Sequence, residues 1–186
     1  MRELTEMERN EIERKANDLL NQYNINADNG VEIVNLCKKT GFTLISVELD
    51  DTEDGFIIAN ETINSFPGFK TNKVIAVNSK RSYEEKRFII AHELGHYVLQ
   101  KEGHTLFAAR DSRHGRSENE NDIDFFAACL LMPKDAFVRQ YNRLEKETTT
   151  PVSDQIIIEL ADVFGVPFLS VVRRMRETGL INEKNS

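Results

Sequence analysis

The chain has 186 residues, enough for one domain with a real core and, at most, a small terminal subdomain. Its 40% apolar and 30% charged residues are ordinary for a soluble globular protein, and no apolar stretch approaches the roughly 18 residues that a membrane span needs. A formal net charge of −7 excludes a nonspecific grip on a polyanion as the overall design, although it leaves room for a local basic patch.

The first residues, Met1 to Glu6, contain no hydrophobic signal region, which points to a cytoplasmic protein. Thr5 and Glu8 form a Ser/Thr-x-x-Glu cap that opens a helix to about Tyr23. Asn29-Gly30 marks a break. A second helix is expected from about Val31 to Lys39, stopped by Gly41. Phe42 to Leu49, Gly55 to Ala59 and Val74 to Asn78 are short β-prone runs separated by turn residues, and they predict a small antiparallel sheet. The stretch from Asn60 to Asn72, with Pro67-Gly68, reads as a loop.

Ser82 and Glu85 form a further capping box, and the helix they open carries His92-Glu93-Leu94-Gly95-His96. Positions i and i+4 of a helix lie about 40° apart, so the imidazoles of His92 and His96 point the same way. Two imidazoles can hold one zinc ion, and the carboxylate of Glu93 can take a proton from a metal-bound water. Such a set is the minimum machinery for hydrolysing a peptide bond. Ile90, Leu94, Tyr97 and Val98 fall on the opposite side, as on a core helix that lines a cleft.

Residues 101–117 read as a polar, basic loop with His104, Arg110, Arg113, His114 and Arg116. A charge there could stabilise an oxyanion, although a solvated loop is the simpler reading. Tyr83 and Tyr97 are conceivable electrophilic helpers, with packing the simpler role.

A catalytic zinc needs a third protein ligand. The acids Glu118, Glu120, Asp122 and Asp124 open a strongly apolar helix ending at Met132-Pro133. Its buried face is set by Ile123, Phe126, Ala127, Leu130 and Leu131. Glu120 falls about 50° from the centre of that face, Asp124 about 90° and Asp122 about 110°, while Glu118 points almost opposite. Glu120 is therefore the candidate ligand. Asp124, one turn later, is placed to hold the far nitrogen of a ligand histidine. Glu118 and Asp122 read as charge complementing the helix N-terminus. Phe125 and Cys129 point the other way, so the helix is expected to be buried on more than one side. Cys37 and Cys129 read as reduced, buried small hydrophobes.

Pro133 opens a helix to about Leu144, and Glu145 to Thr150 reads as a linker. From Ser153, a helix, the Gly165 turn and a Pro-opened helix ending in Arg173, Arg174 and Arg176 resemble a helix-turn-helix. Its basic second helix could contact DNA, but a hairpin packed on the rest of the protein is favoured.

The run from Asn72 to Gln100, followed by Glu118 to Phe137, resembles the ImmA/IrrE family of zinc metallopeptidases. A strand ending in Val77-Asn78, the Arg87-Phe88 lead-in and the His92–His96 motif match that family's pattern. So do Glu120, Asp124 and the tail from Phe126 to Pro133. One departure is Ile123, where the family has alanine; it adds volume beside the proposed metal face. The resemblance implies an α+β, zincin-like fold with one Zn²⁺ per chain on His92, His96 and Glu120 and with Glu93 as the general base. It also implies that a sheet edge beside the motif helix pairs with substrate backbone. The substrate it implies is one protein, a helix-turn-helix repressor, whose limited cleavage derepresses genes of a mobile element or a stress response. On this reading residues 1–150 are the metallopeptidase core and 151–186 a C-terminal helical subdomain. Two other classes stay open: a non-cutting antirepressor or adaptor, and a DNA-binding regulator using the C-terminal helices.

Overall fold

The computed structural model describes residues 4–60, 63–99, 105–111, 118–147 and 154–181. Helices α1 (Glu6–Gln22) and α2 (Ile33–Lys39) lead into strands β1 (Thr43–Val47), β2 (Glu53–Asn60) and β3 (Lys73–Asn78). The motif helix α3 (Tyr83–Leu99) follows, then β4 (Thr105–Asp111) and the acidic helix α4 (Glu118–Leu131). Helices α5 (Lys134–Glu147), α6 (Asp154–Phe164) and α7 (Phe168–Glu177) complete the described chain. The fold is α+β and zincin-like.

Both expected capping boxes form. Glu8 N–H donates to Thr5 Oγ1 at 3.3 Å while Thr5 N–H donates to Glu8 Oε2 at 2.9 Å, starting α1. Glu85 N–H donates to Ser82 Oγ at 3.2 Å and Ser82 N–H to Glu85 Oε2 at 2.8 Å, starting α3. Each pair satisfies donors that the first helical turn leaves over. Gly41, with φ of +90°, ends α2 in the left-handed conformation that glycine adopts without strain.

The sheet differs from the purely antiparallel one expected. Its order is β1-β3-β2-β4, with β1 parallel to β3 and the other two pairings antiparallel. The short link from β1 to β2 does not make a hairpin, because β3 inserts between them. Val74 to Val77 of β3 are buried in succession, as suits an interior strand covered on both faces. The segment 105–111, expected to be loop, is strand β4 on the β2 edge. Its strand character comes from the partner backbone, which local composition does not reveal. Helix α5 also runs to Glu147, into the expected linker.

Helix α3 lies across the sheet and against α4. Gly55 of β2 permits the first contact, since a Cβ there would stand 2.7 Å from Ile89 Cγ2 and 2.6 Å from the Ala76 carbonyl oxygen. Gly95 permits the second: its Cβ would stand 3.0 Å from both Ile123 Cγ2 and Phe126 Cδ1. Every residue from Ile123 to Met132 is buried, so α4 is the central helix, buried on more than one side as expected.

The C-terminal pair belongs to the same hydrophobic core. Ile156, Leu160 and Phe164 of α6 and Val171 and Met175 of α7 join one cluster with α1, α3, α4 and α5. The two helices bend by 102° at their junction, within the range of a helix-turn-helix. Arg174, one of the candidate DNA contacts, is nevertheless buried and turned inward. Its Nε donates to the Met132 carbonyl at 3.0 Å and its Nη2 to Glu13 Oε1 at 2.7 Å. Among the described residues, no single helix is long and apolar enough to cross a membrane.

Candidate metal centre

The first two donors come from one turn of α3. His92 and His96 are 1% and 3% exposed, and Glu93 between them is fully buried. Their ring centroids are 5.0 Å apart, the separation expected of imidazoles one helical turn apart and facing one way. The close approach of α4 at Gly95 brings in the third donor. Glu120 Oε2 lies 3.1 Å from His92 Nε2, and Glu120 Oε1 lies 3.8 Å from His96 Nε2.

One donor atom from each of His92, His96 and Glu120 lies within 4.8 Å of the others. A tetrahedral ion with donors at about 2.1 Å requires ligand atoms about 3.4 Å apart, a distance that the two carboxylate–imidazole separations bracket. Two imidazole nitrogens and one carboxylate oxygen also match the donor chemistry of zinc and other borderline divalent ions. The residues therefore fit a metal ion. The His92 hydrogen bond holds Glu120 below the usual carboxylate range, against an opposing push from partial burial, so its oxygens are anionic at neutral pH.

Asp124 lies where the helical wheel puts it. His92 Nδ1 and Asp124 Oδ1 are 2.9 Å apart and both side chains are buried. A carboxylate accepts from a ring N–H, so Nδ1 is the nitrogen turned to Asp124 and Nε2 the one turned to the cluster. Asp122 is half-buried and is not part of the cluster.

The remaining candidates lie elsewhere. Tyr97 packs edge-on to Phe42, with ring centroids 5.1 Å apart, and its hydroxyl accepts from Lys73 Nζ at 2.6 Å. Tyr83 is exposed beside the Arg87 guanidinium. Arg110 sits in β4 opposite Gly55, whereas His104, Arg113, His114 and Arg116 fall outside the described residues. Burial pushes the thiols of Cys37 and Cys129 up to about 12, so both are neutral and unreactive.

Two arginines matter more than their sequence context indicates. Arg87 is buried and clasps three carbonyls that surround the base of α3. Its Nε donates to Gly165 at 2.9 Å, and its Nη2 donates to Val31 at 2.6 Å and to Phe164 at 3.3 Å. Its partners come from distant parts of the chain, so only its place in the Arg87-Phe88 lead-in marked it. Arg173 of α7 reaches Asp124 Oδ2 at 3.7 Å. Nothing local in the sequence distinguishes it from Arg176, which is exposed on the same helix.

A family model described as the IrrE N-terminal-like domain, of a peptidase family, matches residues 37–176. That span runs from α2 through almost all of α7. The chain is also 36% identical over 76 residues to an uncharacterized immunity region protein 2 of Bacillus phage phi105. The match takes in 41% of this chain and 48% of that protein, so the chain spans about half the length of the curated relative it matches.

Proposed function

Because the chain belongs to the peptidase family of IrrE N-terminal-like domains, we propose that it is a zinc-dependent endopeptidase that makes a limited cut in one protein substrate. The observation that carries this reading is the convergence of His92, His96 and Glu120 beside the buried Glu93. A structural metal site has no need of a carboxylate in that position, whereas hydrolysis needs a general base there.

In this reading His92 and His96 bind through Nε2 and Glu120 through a carboxylate oxygen. Asp124 holds the His92 ring through Nδ1–H. A divalent ion held there supplies Lewis acidity, lowering the pKa of a water toward about 7 and polarising a carbonyl. Glu93 accepts the proton of the attacking water on its carboxylate and later delivers it to the leaving amine. Burial of Glu93 keeps that proton from exchanging with bulk solvent during the step.

The substrate we propose is a helix-turn-helix repressor, whose cleavage derepresses genes of a mobile element or a stress response. Support comes from the likeness to a protein whose name assigns it to a phage immunity region. A repressor is cytoplasmic, and so, by this reading, is the peptidase. Residues 1–150 form its catalytic core and residues 151–186 a helical subdomain docked on it.

Co-expression with a repressor encoded beside it tests the reading. Fragments should accumulate with the wild type and not with Glu93→Gln, which retains metal. Relief of repression by both proteins, without fragments, would instead make it a non-cutting adaptor. Purified protein with less than about a tenth of an equivalent of metal, and no activity on adding zinc, manganese or cobalt, sinks the enzyme assignment.

A further inference from the structure

The metal centre is built from α3 and α4, yet a side chain from the C-terminal helical pair touches it. Arg173 Nη1 lies 3.7 Å from Asp124 Oδ2, while Asp124 Oδ1 takes the hydrogen bond with His92 Nδ1. The two carboxylate oxygens thus face two different partners. We propose that Arg173 is a positioning residue for the metal centre: it holds the Asp124 carboxylate in one orientation, and through Asp124 it sets how tightly His92 holds the ion. The proposal rests on the metal-centre reading above.

Three observations give Arg173 that leverage. Asp124 is 3% exposed, and a buried carboxylate needs partners for both of its oxygens. The Arg173 guanidinium supplies a full positive charge on the side away from the histidine. Arg173 is itself oriented, because its Nε donates to Glu177 Oε1 at 2.9 Å. Glu177 Oε2 lies 3.5 Å from Nη1 of the buried Arg174, so the orienting acid is tied to a fixed neighbour.

The helix that carries Arg173 is also anchored at both ends. Arg87, on the same helix as His92, grips the Gly165 carbonyl at the α6–α7 corner. Arg174 grips the Met132 carbonyl beyond the end of α4. Those contacts hold α7 against α3 and α4 independently of the Arg173–Asp124 pair. Beside it, a cavity of about 340 Å³ is lined by Asp124, Arg173, Pro167, Leu169, Phe88 and Ile89, among others. Solvent therefore reaches the arginine from one side. That exposure weakens the coupling, so the expected effect is smaller than for a ligand's direct partner.

The experiment is a zinc-affinity measurement on the full chain by competition with a chromophoric chelator. Wild type, Arg173→Ala, Arg173→Lys, Arg176→Ala, Asp124→Asn and the Arg173→Ala/Asp124→Asn double variant are compared. Arg173→Ala should bind zinc about three- to tenfold more weakly, Arg173→Lys should recover most of the loss, and Arg176→Ala should match the wild type. In the Asp124→Asn background the Arg173→Ala loss should vanish, because there is no carboxylate left to orient. A merely structural arginine would lower the melting temperature of the metal-free protein without that dependence on Asp124. If Arg173→Ala proves unfolded when metal-free, Arg173→Gln, which keeps the stem, takes its place in the cycle. Unchanged zinc affinity in Arg173→Ala, or an equal loss in both backgrounds, overturns the proposal while leaving the metal centre intact. A wild type that binds no zinc overturns both.

Discussion

Gly95 and Ile123 meet face to face where the motif helix crosses the acidic helix. A Cβ on residue 95 would lie 3.0 Å from Ile123 Cγ2, tighter than side chains pack without movement. This contact sets the approach that carries Glu120 to the two imidazoles. Gly95→Ala gains about 1 kcal/mol of helix propensity but overpacks the crossing by about 1–3 kcal/mol. The expected outcome is a net loss of stability together with weaker metal binding. Removing the opposing methyls in Gly95→Ala/Ile123→Ala should restore metal affinity relative to Gly95→Ala. Denaturant melts and zinc titrations on the three variants check this, and additive effects would show that the two residues do not share the space.

Metal occupancy should stabilise the fold, since the three donors join α3 to α4. At free zinc a hundredfold above its dissociation constant, linkage gives about 2.7 kcal/mol, read as a rise in melting temperature that a chelator reverses. His92→Ala should lose that rise. Glu120→Gln should keep the fold and show a much smaller rise, because a neutral amide replaces the anionic donor. Equal rises in wild type and His92→Ala would place the binding somewhere else.

The Arg87 clasp predicts a second weak point, far from the chemistry. Its guanidinium serves carbonyls from the start of α2 and the end of α6, near which Gly165 takes a φ of +59°. Arg87→Met should cost about 3–5 kcal/mol by stranding those carbonyls, and Arg87→Lys should recover only part, since an ammonium cannot span the fork. Gly165→Ala should also be destabilising, because its Cβ would stand 2.7 Å from Arg87 Nε in a backbone conformation that favours glycine. Chemical denaturation measures all three. A loss below about 1 kcal/mol for Arg87→Met would show that solvent can replace the clasp.

The capping box of α3 makes a small, signed contribution to acid stability. The Ser82 N–H bond holds Glu85 below the usual carboxylate range, with partial burial pushing the other way. A depressed folded pKa gives stability that is present above the unfolded value, about 4.3, and lost as pH falls through the folded value. Glu85 is exposed, so the amount is a few tenths of a kcal/mol after screening. Wild type should therefore exceed Glu85→Gln in stability at pH 6 by more than it does at pH 3. A difference that does not shrink toward low pH would remove the carboxylate charge from the account.

Local chemistry was legible wherever the signal is local. Thr5/Glu8 and Ser82/Glu85 mark helix starts because a cap is made within four residues. The i, i+4 spacing of His92 and His96 dictates a shared face, and the apolar period of 123–131 aims Glu120 and Asp124 inward. The pairing of those two helices followed from the metal chemistry, which demands a third donor. By contrast, the composition of 105–111 reads as loop and that of β1 as part of an antiparallel sheet, because strand identity and direction depend on which backbone lies alongside. The same blindness affected the arginines. Arg173, Arg174 and Arg176 form one basic cluster in sequence, yet Arg174 is buried in the core, Arg173 faces Asp124 and Arg176 is exposed.

The residue order alone marks the candidate ligand set, the candidate base and the caps, since each rests on the fixed periodicity of a helix or on a contact within one turn. Tertiary structure alone decides the strand order, the depth at which α3 meets α4 at Gly95, and the burial of Arg87 and Arg174. The two buried arginines, for example, bond partners 42 to 161 residues distant, where what matters is the space left between packed elements and the carbonyls that remain to be satisfied.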